Sequence, residues 1–227
     1  MISSVTNPTV KALTKLQKKK YRQQEQKMIV EGEHLVEEAS AYGVVLEKYT
    51  TDETIKDATL LSPHVMKKIT DTKHPPRVIA LCKVPKGKAI TDRVLILENI
   101  QDPGNLGTLL RSALAFDFQT IIMNECVDYL NPKVLRSTQG AIFRLNIHEM
   151  DVKTFKANNP HTLLATHVSL EKQVPKGLSL PVALVLGNEG SGVKAETLKL
   201  ADYWLHIPTK HVESLNVSVA GSILMQQ

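Results

Sequence analysis

The chain has 227 residues, a formal net charge of +5, two cysteines and 42% hydrophobic residues, enough to bury a substantial core in one large or two smaller domains. No apolar run approaches the ~18 residues a membrane span needs, and no secretory-type leader opens the chain, so a cytoplasmic protein without a membrane partner is expected. The charge favours a polyanionic partner without naming one, and Cys82 and Cys126 stand too far apart in sequence to suggest a metal or redox pair.

In chain order, Asn7-Pro8 is a cap and first-turn pair, and Val10, Leu13 and Leu16 follow at helical spacing. Lys18, Lys19, Lys20 and Arg22 then form a basic run on a helix end or loop, which reads either as a solvated face or as a binding patch. Short strands are predicted over 28–30, 44–49, 59–61 and 78–82, with helices over 33–41 and 63–70, making residues 1–84 a small α/β domain. A polar stretch with Pro85 and Gly87 places a linker over 85–91. Beyond it, over 92–227, strands near 93–97, 120–123, 143–147, 162–166, 182–186 and 204–207 alternate with helices, which predicts a mostly parallel sheet covered on both faces.

Three of those predicted strands run into polar loops. After 93–97 comes Glu98 to Ala113, where Pro103-Gly104 reads as a turn, and Asn105 and Arg111 could face one site from the opening turns of a helix. After 182–186 comes Gly187-Asn188-Glu189-Gly190-Ser191-Gly192, which matches neither the dinucleotide fingerprint nor the P-loop. After 204–207, read as a buried strand that Pro208 stops, comes a loop ending in Ser214-Leu215-Asn216 ahead of a helical pattern over 216–227. Ser214 and Asn216 are either helix caps or ligand groups at the carboxyl end of a sheet. The eight histidines offer no metal-type pair, and Gly-x-Ser-x-Gly is absent, so neither a metal site nor a serine hydrolase is supported.

These three segments, in this order, resemble the three motifs of the SpoU (TrmH-type) RNA ribose 2′-O-methyltransferases of the SPOUT superfamily. The stretch 131–143, with Pro132, Lys133, Arg136, Gly140 and Ala141, is similar to a further family segment, and 2–39 to the small substrate-binding domain that precedes the catalytic domain in many members. The resemblance implies an α/β fold with a C-terminal trefoil knot, a homodimer, S-adenosyl-L-methionine as cofactor, no metal, and RNA as substrate, ribosomal RNA ahead of transfer RNA. It carries the catalytic roles to Asn105, Arg111, Glu189, Ser214 and Asn216. It carries cofactor recognition to backbone groups at Leu186, Gly187, Ile207 and Leu215, with Thr166 closing the pocket, and RNA contact to Lys18, Lys19, Lys20 and Arg22. Glu189 is expected to hold Arg111 or a group of a partner subunit, and Asn105 to fix the same network.

Arg111 is not expected to act as a simple base, because bringing a guanidinium from above ~12 to neutrality would cost about 7 kcal/mol. A fork on a phosphate or on the developing oxyanion is the cheaper role. The alternative reading is an RNA-binding or assembly factor of the same fold that has lost catalysis; a base-nitrogen methylase of the superfamily carries different motifs in the last two loops. One departure stands out. The family's third motif reads Ile-Pro-Met-x-Gly-x-x-x-Ser-Leu-Asn, whereas 207–216 is one residue shorter and lacks the glycine, so weakened cofactor binding is expected, and the short final helix is expected to weaken dimerisation.

Overall fold

The computed structural model describes residues 1–70, 72–167, 175 and 178–227. It divides into two compact units: Met1–Pro85 with Leu130–Phe143, and Lys86–Tyr129 with Arg144–Gln227.

In the first unit the chain runs α1 (Pro8–Lys15), α2 (Lys19–Glu25), β1 (Lys27–Glu31), α3 (Glu33–Ala41), β2 (Val45–Thr50), β3 (Thr59–Leu60), α4 (Pro63–Thr70) and β4 (Val78–Lys83). Asn7 caps α1 by accepting from the Thr9 amide at 2.9 Å, with Pro8 in the first helical position. The sheet order is β1-β4-β2-β3. Val10, Leu13 and Leu16 from α1 and Val65, Met66 and Ile69 from α4 cluster with Ile29, Tyr49 and Ile79 of the sheet. Alternate strand residues such as Met28, Val30, Val78 and Ala80 are buried on the opposite face, which α3 covers.

The second unit continues with β5 (Arg93–Glu98), α5 (Pro103–Ala115) and β6 (Thr120–Asn124). The chain then makes α6 (Pro132–Thr138) and a 3₁₀ turn (Ala141–Phe143), and goes on through β7 (Asn146–Glu149), α7 (Val152–Asn158), β8 (Thr162–Thr166), β9 (Val182–Leu186), α8 (Ala195–Leu200), β10 (Tyr203–Leu205) and α9 (Val217–Gln226). The six strands form one parallel sheet in the order β10-β8-β9-β5-β6-β7. Its interior strands β9 and β5 read as near-continuous apolar runs, as strands covered on both faces must.

Several expectations need correcting. Residues 130–143 belong to the first unit, although the sequence places them inside a continuous 92–227 domain: α6 packs on β1, and Arg136 Nη1 lies 2.6 Å from Glu31 Oε2. Phe143 ends the 3₁₀ turn and stacks on Tyr42, so the strand expected over 143–147 begins at Asn146. The linker over 85–91 is no free tether from Lys88 onward, because the Asn146 side chain bonds Lys88 and Ala89 and the Thr120 hydroxyl accepts from the Thr91 amide. Pro103-Gly104 is the first turn of α5 rather than a loop turn, with Asp102 as its cap. The strand expected over 204–207 is a half-buried edge strand, not a buried one.

Candidate active site

Strand register brings the expected cofactor residues to one edge of the second unit. Leu205 pairs with Thr166, and Ala165 with Val185, so Thr166, Leu186 and Leu205 stand level at the carboxyl ends of three neighbouring strands. Gly187 follows one residue later and Ile207 two, at the edge where open parallel sheets take ligands. Gly187 is there for space: a Cβ would lie 2.1 Å from the Gly192 carbonyl carbon. That crowding arises because Asn188 and Gly192 exchange backbone hydrogen bonds at 3.0 and 2.9 Å and fold the loop onto itself. Ile207 and Leu215 make no hydrogen bond among the described residues, which leaves their backbone donors and acceptors for a ligand. This is what S-adenosyl-L-methionine requires of a site that recognises it through backbone groups.

The polar residues form a chain of hydrogen bonds linking all three loops. Asn216, at the start of α9, accepts from the Ser218 amide and hydroxyl at 2.9 and 2.6 Å. Its own amide donates to Asn105 Oδ1 at 3.0 Å, and Asn105 Nδ2 donates to Glu189 Oε1 at 3.1 Å. Asn188 Nδ2 reaches both Glu189 Oε2, at 3.2 Å, and the Asn99 carbonyl, at 2.9 Å. Asn216 therefore caps α9 and bonds the first loop at once.

Arg111 is absent from this chain, which corrects the expectation that Glu189 holds it. It lies six residues along α5 from Asn105, about 9 Å up the axis and two-thirds of a turn round, so the two do not share the opening turns. The Arg111 guanidinium is exposed and has no partner among the described residues. Ser214 is likewise exposed and unbonded.

Glu98, which the sequence reading passed over, anchors the second loop from below. It is 1% exposed, and accepts from the Lys194 amide at 2.8 Å, the Thr197 hydroxyl at 2.7 Å and Asn124 Nδ2 at 3.3 Å. Lys194 in turn reaches Glu125 Oε2 at 2.7 Å, which raises its ammonium above the ordinary lysine range. A carboxylate closing the apolar run Val94–Leu97 was the available signal. Nearby, burial pushes the Cys126 thiol up to about 11, too high for a nucleophile at neutral pH. No cluster among the described residues has the His, Cys, Asp and Glu groups to hold a metal.

In the third loop His211 has φ +67°, a left-handed conformation that favours glycine. Counted from Ile207, His211 stands at the place of the motif's glycine, so the shortening falls after it, within 212–214.

Lys18, Lys19 and Lys20 are exposed at the start of α2. Arg22 is not with them. It is 3% exposed, and its Nη1 donates to the Leu16 carbonyl at 2.6 Å, closing the end of α1, so its expected RNA contact is withdrawn.

Comparison with known proteins matches residues 92–226 to the SpoU rRNA Methylase family and residues 7–80 to the MRM3-like substrate binding domain. The chain is 36% identical to the Bacillus subtilis 23S rRNA (guanosine(2553)-2′-O)-methyltransferase RlmP, over 99% of this chain and 97% of that protein. It is 26% identical to human mitochondrial rRNA methyltransferase 3, over 94% and 70% of the respective chains. The crystal structure of an AdoMet-bound rRNA methyltransferase from Sinorhizobium meliloti superposes with a TM-score of 0.83 at 26% identity, covering 99% of this chain and 95% of that one.

Proposed function

Because the chain belongs to the SpoU rRNA methylase family and is an S-adenosylmethionine-dependent RNA 2′-O-ribose methyltransferase, we propose that ribosomal RNA is its substrate and that Asn105, Arg111, Glu189, Ser214 and Asn216 carry the reaction. The observation that carries the residue assignment is the chain Asn216–Asn105–Glu189, in which one residue from each motif is bonded to the next. S-adenosylmethionine, when bound, supplies a methyl group on an already activated sulfonium. The protein's own task is to hold the ribose in line and manage one proton. The hydrogen-bond chain keeps three loops in register. Arg111, exposed and unpaired, is free to fork onto a phosphate or the developing oxyanion, and Ser214 is free to meet the ribose.

The ribosomal assignment draws on the names of the similar proteins. The working form is a homodimer, supported by Val219 and Ile223, one helical turn apart on α9 and both exposed. A trefoil knot at the C-terminus is implied by the family resemblance and agrees with the close packing of α9 on β9, where a Cβ at Gly221 would lie 2.5 Å from Leu186 Cδ1. A cytoplasmic location agrees with two unpaired cysteines.

The test is incubation of ribosomal RNA from cells lacking this protein with labelled S-adenosylmethionine, followed by mapping of 2′-O-methyl positions. One or a few ribose sites are expected. Label on a base, or no label on RNA that the protein binds, overturns the assignment.

A further inference from the structure

We infer that the first unit meets RNA with one face only, built by α1, α2 and the end of α4, that Lys67 and Lys68 belong to this face with Lys15, Lys18, Lys19 and Lys20, and that the α3 face is turned away. This rests on the reading that RNA is the substrate. The sequence separates the two lysine groups by almost fifty residues; packing joins them. Gln17, in the turn between α1 and α2, donates from Nε2 to the Lys68 and Ile69 carbonyls at 3.2 and 2.6 Å, which sets that turn against the last turn of α4. Arg22 closes the α1 end from inside, so the corner is held by buried or half-buried polar bonds rather than by its lysines.

All six lysines are exposed, and none pairs with a carboxylate among the described residues. Stability does not explain them all. Lys15, Lys67 and Lys68 sit in last turns, where the helix dipole welcomes a cation, but Lys19 and Lys20 open α2, where it opposes one. No acidic residue offsets them in that first turn, and Lys18 makes no side-chain cap bond. Three cations at the positive end of a helix are mildly unfavourable to one another and to the helix, and a polyanion lying across them offsets both effects. Helix α3, on the opposite face, has the reverse composition: it carries Glu33, Glu37 and Glu38 and no lysine or arginine. A phosphate backbone laid on α1, α2 and α4 meets six lysines and a single carboxylate, Glu25, which lies 3.9 Å from Lys27, whereas on α3 it meets three carboxylates and no lysine or arginine.

The experiment compares the salt dependence of RNA binding for the full chain and two variants, Lys67→Ala/Lys68→Ala and Glu37→Gln, using a ribosomal RNA fragment that the wild type methylates. Each phosphate contact contributes about 0.7–0.9 to the slope of log K against log salt, so the double lysine variant should be shallower by about 1.5, with cofactor binding unchanged. Glu37→Gln should leave the slope and affinity as they are. An unchanged slope in the lysine variant, or a gain in affinity from Glu37→Gln, overturns the one-face assignment while leaving the substrate reading intact. A wild type that methylates no RNA overturns the substrate reading, and the face with it.

Discussion

Replacing Asn105 by Asp changes one donor atom and nothing in size, and the hydrogen-bond chain makes its effect calculable. Asn105 accepts from Asn216 and donates to Glu189 at 3.1 Å. Aspartate keeps the first bond and sets a second carboxylate against Glu189. At that separation Coulomb repulsion runs from about 1.3 kcal/mol at the dielectric of water to about 5 kcal/mol at an effective dielectric of 20. Asn105 is half-buried and Glu189 exposed, so about 2 kcal/mol is the working figure, roughly thirtyfold in cofactor affinity if the loops part. The sign with pH follows. A like charge raises the folded-state pKa of the pair above the unfolded value, so the folded form binds the extra proton more tightly, and the deficit present near pH 8 shrinks as pH falls towards 5. Asn105→Ala loses two bonds, about 1 kcal/mol each, with no such recovery. Calorimetric titration of S-adenosylmethionine at both pH values separates the two; equal deficits for Asp at pH 5 and pH 8 would refute the direct Asn105–Glu189 contact.

Arg111→Ala should abolish methyl transfer and leave cofactor affinity within a few-fold, and Arg111→Lys should fail as well, since a point charge does not reproduce a planar fork; near-normal turnover in the lysine variant rejects the geometric argument. His211→Gly should stabilise the protein by about 1 kcal/mol, by relieving a left-handed residue, and raise its melting temperature, whereas an unchanged or lower value shows that the His211 side chain is worth more than the strain. Arg136→Ala should destabilise by about 2 kcal/mol at neutral pH, because Glu31 is buried and already raised, first by desolvation, against the lowering effect of Arg136. Without Arg136 its folded pKa rises further, so the deficit is full above that value and fades on acidification as Glu31 protonates; melts that show the same deficit at pH 5 and pH 7 contradict this.

The parts legible in the sequence are those with local causes. The α3 and α4 bounds were readable because Gly32 precedes one and Pro63 opens the other, and the interior strands because a strand covered on both faces must be apolar throughout. What could not be read depends on contacts made at long range. The alternating pattern Phe143-Arg144-Leu145-Asn146-Ile147 that predicts a strand carries no mark that Phe143 will stack on Tyr42, nor that Arg136 will find Glu31 more than a hundred residues earlier. Arg22 looks like its lysine neighbours in a list of charges. It differs because it turns inward and reaches the carbonyl of Leu16, the residue that caps α1.

The site divides in the same way. That Asn105, Glu189 and Asn216 meet was legible from three loops after three strands, but which atoms pair was not: Glu189 bonds Asn105 and Asn188, and Arg111, one of the two partners expected for it, stands apart. Opposite charges attract in any sequence argument, whereas a side-chain amide, able to donate at one end and accept at the other, leaves no trace of its direction. Here direction is imposed from both ends. The Glu189 carboxylate can only accept, so Asn105 must present its NH₂ to it and its oxygen to Asn216. At the other end the first amide groups of α9 can only donate, so Asn216 must turn its oxygen to Ser218 and its NH₂ back to Asn105. Two asparagines in series carry this direction from the second loop through the first to the third without a second charge, and this leaves Arg111 unspent on the protein.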